Sequence, residues 1–359
     1  MHDGHVSTHK ETPKRGVTRL SILLSCLVAS LASFLTVVSE MPSAATTTRG
    51  SHFYLPGSMV TNGTEVWVAN ETSSENGGFG SVTELSARSG AVIRVIRAKD
   101  DALNYPTNIA IGGGHLWVVR EGELGITELN TSNGALVRVI KLKTNGFGDP
   151  GVIAANNKDV WVAIESGNGW VTELNSATGA VIRIVKARAD DFDVSDAIAI
   201  TGSRLWVSNN SGNSMTELNA TNAKLIRVLR TQAGLYGKYM ITSRTQLWTA
   251  NPTGNSVVEL NALNGSVERE FEAKADRFNA PVAMGVDGEH LWVANLQGNS
   301  VSELNVATGE PIRVLKSKHE FTKPDGIVVA DGRVFVANMA SNSISELSAS
   351  SGSLIRIIH

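Results

Sequence analysis

Residues 281–315 read PVAMGVDGEHLWVANLQGNSVSELNVATGEPIRVL. Four short apolar or alternating runs lie in this stretch: Val282 to Val286, His290 to Asn295, Ser300 to Asn305 and Pro311 to Leu315. Each is bounded by Gly, Asn, Asp or Ser, residues that end strands and build turns. No segment between them sustains a helical period, so the unit reads as a four-stranded antiparallel meander, strands A to D.

The unit occurs seven times. Its aromatic anchor recurs as Trp67, Trp117, Trp161, Trp206, Trp248, Trp292 and Phe335, at separations of 50, 44, 45, 42, 44 and 43 residues. A period of about 44 residues is the length of one propeller blade. One such sheet cannot bury both faces alone, but a closed ring of them can. The predicted fold is therefore all-β, a seven-bladed β-propeller of four-stranded antiparallel blades. It occupies residues 46–359, with blades near 53–103, 104–147, 148–192, 193–236, 237–278, 279–321 and 322–359. Each blade is expected to be one continuous segment, so that the ring closes by blade packing alone.

A charged pair repeats with the fold. Each strand C glutamate (Glu84, Glu128, Glu173, Glu217, Glu259, Glu303, Glu346) is followed ten residues later by a strand D arginine (Arg94, Arg138, Arg183, Arg227, Arg269, Arg313, Arg356). Across a hairpin centred on the intervening turn, that spacing sets Glu opposite Arg. The row Trp292, Glu303, Arg313 and its relatives is read as structural, because a catalytic constellation is needed once and this one is present in every blade.

LWVANLQGNSVSELNVATG and its six relatives resemble the YVTN-type repeats of bacterial seven-bladed propellers. The resemblance covers nearly everything after residue 53; the Trp of strand B and the Glu of strand C are its departures. It implies the fold and leaves the activity open. Such repeats occur in binding and surface proteins and in nucleic-acid binders, and related propellers include lyases.

Function is sought where the repeats differ. The CD turns hardly vary, whereas the BC and DA loops do, which marks their face as the binding surface. Ten residues before each aromatic stand Gly57, Thr107, Gly151, Asp196, Lys238, Val282 and Asp325, and the next position adds Asn108 and Tyr239. Strand A lines the channel of a propeller, so Asn108, Asp196, Lys238, Tyr239 and Asp325 are expected to ring one channel mouth. Strand B ends in Asn in five blades, and Arg120 and Ile164 break that rule, each followed by Glu. Arg120 joins the ligand-binding candidates on that ground.

The N-terminus reads differently. Lys10, Lys14, Arg15 and Arg19 precede an apolar run from Leu20 to Val38, and Ser43, Ala44 and Ala45 follow. Residues 1–45 are thus a secretory signal or an uncleaved N-terminal membrane anchor, and the propeller is expected outside the cytoplasm. Cys26 is the one cysteine, so cleavage after Ala45 leaves a thiol-free chain without disulfides or zinc-thiolate sites. The histidines show no metal-ligand spacing, and neither metal nor cofactor is expected.

With 42% hydrophobic and 18% charged residues the chain has the makings of a large core, and a net charge of -2 disfavours phosphate-neutralising binding. The first reading is a noncatalytic, monomeric binding module for a protein, glycan or small molecule. The alternatives are a lyase or hydrolase acting at the channel mouth, and single-stranded nucleic-acid binding.

Overall fold

The computed structural model describes residues 52–71, 80–97, 102–122, 124–141, 149–164, 169–186, 192, 195–209, 212–230, 237–271, 277–317 and 319–359. The N-terminal segment, Cys26 and Glu165 lie outside them.

The described chain forms seven four-stranded antiparallel sheets, each built from four consecutive strands. In the sixth blade these are Pro281–Val286, His290–Asn295, Ser300–Asn305 and Pro311–Lys316. Helix is limited, among the described residues, to one 3-10 turn at Met339–Ser341, and no helix there is long and apolar enough to cross a membrane. The inner A strands are Pro56–Thr61, Pro106–Gly112, Pro150–Ala155, Ser195–Thr201, Tyr239–Ser243, Pro281–Val286 and Pro324–Ala330. They neighbour one another in ring order, and the first lies against the last.

The core lies between blades. Trp67 is buried with Leu116, Val118 and Leu129 of the second blade, and Trp292 with Val334, Val336 and Leu347 of the seventh. At the seam, Phe335 of the seventh blade meets Phe53, Val66, Val68 and Leu85 of the first. A residue three positions before strand A wedges into these layers as Phe53, Leu103, Phe192, Phe278 and Phe321. Closure is thus by packing, with no strand exchanged across the seam.

The Trp–Glu–Arg row is in register in every blade, with Phe335 as the seventh aromatic: Trp292 pairs with Glu303 and Glu303 with Arg313, Phe335 with Glu346 and Glu346 with Arg356. The longer Trp-to-Glu spacings of the first and third blades are absorbed by their BC loops, leaving Trp67 opposite Glu84 and Trp161 opposite Glu173. All seven arginines place Nε 2.5 to 2.9 Å from their glutamate.

Burial within the row is unequal. The Glu303 side chain is 0% exposed and Arg313 30%. The guanidinium reaches outward because it has a second task. Arg94 donates to the Ser132 carbonyl at 3.2 Å, Arg138 to Ala177 at 3.1 Å and Arg269 to Ala307 at 3.0 Å, each acceptor lying in the CD turn of the next blade. Arg313 reaches Ser351 in the same way. The arginines of the first six blades therefore clamp their own glutamates to the following blade. The CD-turn glycine follows from this: Gly352 has φ +70, and a Cβ there would meet Arg313 Cδ at 3.0 Å. An ordinary side chain would be strained at that φ and would crowd the clamp.

Sequence reading missed a fourth member of the row. The first residue of strand B also meets the buried carboxylate: His115 Nδ1 lies 2.5 Å from Glu128, Gln246 donates to Glu259 at 2.7 Å, and Arg204 and Arg333 pair with Glu217 and Glu346. In the third blade the position is Asp159. Burial, with Asp159 adding to it against Arg183, raises the Glu173 carboxyl to about 7.

Candidate functional site

A cavity of about 470 Å³ opens at one mouth of the channel, and the A strands of all seven blades contribute to its wall. Asn108, Asp196, Lys238, Tyr239 and Asp325 all line it. Two further acids that sequence reading did not nominate, Glu71 and Glu121, join them.

A repeated scaffold positions the two glutamates. Both stand one residue beyond strand B, and their backbone amides donate to the residue preceding the strand A proline: Glu71 to Leu55 at 3.2 Å and Glu121 to Tyr105 at 3.0 Å. Leu296 and Met339 make the same bonds, to Ala280 and Lys323. The acceptors all have positive φ, from 43° to 54°. The backbone of this column is thereby fixed while its side chain is free to differ between blades. Asn residues in the BC turns tie the face together: Asn342 Oδ1 accepts from Leu55 N across the seam at 2.8 Å, and Asn299 Oδ1 from Lys323 N at 2.7 Å.

Arg120 does not join the wall; it is 1% exposed. Elsewhere the Asn at this position anchors a buried network, as where Asn295 donates to Ser300 at 3.3 Å and to Ser302 at 2.9 Å. Ser302 in turn donates to the Arg277 carbonyl of the DA loop. Arg120 faces Gly125 where five other blades have serine, and a Cβ on Gly125 would come 2.5 Å from Arg120 Nη2. Ile164 faces Trp170. Both departures replace the Asn–Ser pair of the other blades by another in-register pair.

Charge within the mouth is unevenly arranged. Lys238 Nζ stands 4.0 Å from Asp196 Oδ2, an oxygen sealed from solvent without a hydrogen bond. Burial raises the Asp196 carboxyl and Lys238 opposes the shift. Around the seam the acids have no such partner. Burial raises Asp325 to about 6. Glu71 is pushed up to about 8 by burial, then by Asp325 and Glu121, against a hydrogen bond from Tyr105. Glu121 reaches solvent at the rim, yet burial and Asp149 raise it against the Thr107 hydroxyl. Tyr239 leaves 36% of its surface open to the channel. Its phenol is raised first by the enclosing wall and then by Asp325, Asp196 and Glu71, so it faces both halves of the mouth. Chemically, the arrangement offers carboxyls able to hold or release a proton near neutrality beside one lysine and two phenols.

Gly57 explains how the acids converge. A Cβ there would meet Asp325 Oδ2 at 3.0 Å and Glu71 Oε1 at 3.7 Å. Among the described residues no group of three or more His, Cys, Asp or Glu is spaced to hold a metal ion.

No protein-family model matches the chain, and no curated protein does. Solved structures do. The Cps50 (Swd1) β-propeller domain of Myceliophteria thermophila aligns with a TM-score of 0.65 at 12% identity, over 84% of this chain and 98% of that one. Hydrazine synthase of Kuenenia stuttgartiensis aligns with a TM-score of 0.64 at 14% identity, over 87% and 100%. A catalytically inactive virginiamycin B lyase from Staphylococcus aureus, solved with quinupristin, aligns with a TM-score of 0.59 at 17% identity, over 70% and 83%. At these identities the likeness is one of fold: a seven-bladed propeller whose neighbours differ widely in function.

Proposed function

We propose that this chain is an exported, noncatalytic binding propeller of the YVTN-like repeat class, which takes a small ligand at the channel mouth formed by its BC and DA face. The observation that carries this reading is the cavity itself. Seven near-identical A strands converge on it, yet their side chains differ there in charge and size, while the structural row and the CD turns repeat. Its volume of about 470 Å³ is in the range of small-molecule sites. Net acidity of the wall weighs against nucleic acid, which needs a basic track.

A second reading, a lyase or hydrolase at the same mouth, is favoured by Glu71 and Asp325, whose carboxyls are tuned into the range useful for proton transfer. Turnover of a bound compound separates the two.

The test is a thermal-shift screen of a metabolite library against the wild type and an Asp196→Ala, Lys238→Ala double variant. Hits are expected to stabilise the wild type only, with the melting temperature of the free variant within a few degrees, because removing Asp196 and Lys238 together leaves neither charge unpaired. Hits retained by the variant, or density on the AB and CD face near His115 and His290 in soaked crystals, sink the reading. Export is tested by intact mass: the exported protein is expected to lack residues 1–45, and their retention establishes the anchor instead.

A further inference from the structure

We propose that the ligand of the channel mouth is an organic cation carrying an ammonium group, held at the seam between Asp325 of the seventh blade and Glu71 of the first, with Tyr239 facing it across the channel. The inference rests on the channel-mouth reading and adds the chemical class.

Charge is the first argument. The wall carries Glu71, Glu121, Asp196 and Asp325 against Lys238, and Lys238 is already committed to Asp196 at 4.0 Å. Among the described residues Glu71, Glu121 and Asp325 are left without a cation at 4 Å or less.

The second argument is an unanswered group. Among the described residues Asp325 makes no hydrogen bond and no ion pair; it is half-buried in the cavity wall, and lost hydration raises its carboxyl. Its Oδ2 converges with Glu71 Oε1 on the space beside Gly57, which a side chain would have obstructed. The first requirement of such a pocket is a donor bearing positive charge.

The third argument separates an organic cation from a metal ion. The acids lack the spacing of a metal cluster, whereas two convergent oxygens suit the several N–H donors of an ammonium group. Tyr239, partly open to the same cavity and near enough to feel the charge of Asp325 and Glu71, adds an aromatic group to the wall.

A pH dependence follows. Below pH 6 Asp325 and Glu71 hold protons, and above pH 8 they do not; a cation binds the deprotonated form, so its uptake releases protons and tightens as pH rises.

The exported protein is titrated calorimetrically at pH 6.0 and 8.5 with 1,4-diaminobutane, tetramethylammonium, succinate and glucose, in two buffers of different ionisation enthalpy. At least one cation is expected to bind, roughly tenfold or more tighter at pH 8.5 than at 6.0, with proton release. Asp325→Asn and Glu71→Gln are each expected to weaken it at least tenfold while melting as the wild type does. Binding of succinate or glucose in preference to both cations, sensitive to Asp196→Ala with Lys238→Ala, overturns the cation and leaves the mouth standing. Cation binding that both seam variants and the Asp196, Lys238 double variant retain removes site and class together. Failure of both cations at millimolar concentration overturns the class.

Discussion

Replacing Arg313 by Leu removes one clamp and leaves its partner in place. Glu303 is fully buried, with Arg313 Nε at 2.6 Å and His290 Nε2 only at 3.9 Å. An unpaired buried charge costs about 3 to 5 kcal/mol, but the chain has an escape, which is to protonate Glu303. From the ordinary carboxyl value of 4.5, protonation at pH 7 costs about 1.4 kcal/mol per pH unit, or roughly 3.4 kcal/mol, which caps the electrostatic part. Arg313 is 30% exposed, so solvent already screens the pair and the loss is nearer 2 kcal/mol. The bond to the Ser351 carbonyl of the next blade adds about 1 kcal/mol. The total is about 3 kcal/mol at pH 7. Burial already holds the Glu303 carboxyl above its ordinary value, and losing Arg313 raises it further. Stability from such a group is present below the unfolded value and is lost as pH rises through the folded one. The deficit should shrink to about 1 kcal/mol at pH 4.5, where only the carbonyl bond is missing. Urea denaturation at the two pH values measures both, and Glu303→Gln combined with Arg313→Leu should recover most of the pH-dependent part. A loss under about 1 kcal/mol at pH 7, or the same loss at both, refutes the clamp.

Asp159→Asn relieves the acid facing Glu173, whose folded value of about 7 exceeds the ordinary 4.5; the variant should gain about 1 kcal/mol at pH 8 and nothing at pH 4 by urea denaturation. Gly125→Ser should destabilise, because its Cβ would meet Arg120 Nη2 at 2.5 Å and the Ile140 carbonyl oxygen at 2.6 Å; adding Arg120→Asn should recover only the part due to the guanidinium, since the backbone contact stays, and should leave any channel ligand bound equally well, and a Gly125→Ser variant as stable as the wild type contradicts the close packing of this pair. The exported form, without residues 1–45 and therefore without Cys26, should melt identically with and without reductant, and a shift in the melting curve exposes a retained thiol.

The fold was legible because its determinants repeat. A single blade leaves helix and strand ambiguous over six residues, but seven copies of the same turn chemistry average that ambiguity away. The constant ten-residue step from Glu303 to Arg313 fixes a register no tertiary effect overrides. What escaped was contact between repeats. The reach of Arg313 to Ser351 crosses 38 residues, and no spacing within one hairpin announces it. The contact of His115 with Glu128 was missed for a related reason: its column holds Glu65, His115, Asp159, Arg204, Gln246, His290 and Arg333, and that chemical diversity reads as an exposed turn until the buried carboxylate is seen beneath it.

The site was legible in one column and hidden in the next. Ten residues before the aromatic, unlike charges stand where a channel strand begins, and Asp196, Lys238 and Asp325 do line the cavity. Arg120 was singled out because a rare residue interrupts a repeated Asn, yet rarity marks packing as readily as recognition: Gly125 opposite it had already made room. The informative column lay one residue further, at Glu71, Glu121, Glu165, Asn210, Pro252, Leu296 and Met339. Glu71 and Glu121 fall in consecutive repeats, and consecutive repeats are adjacent in a ring, so like charge along the chain becomes an arc of like charge at the mouth. At the seam that arc meets Asp325 from the far end of the sequence. The ring makes neighbours of its first and last blades, and the convergence of Glu71 with Asp325 beside Gly57 is a property of closure.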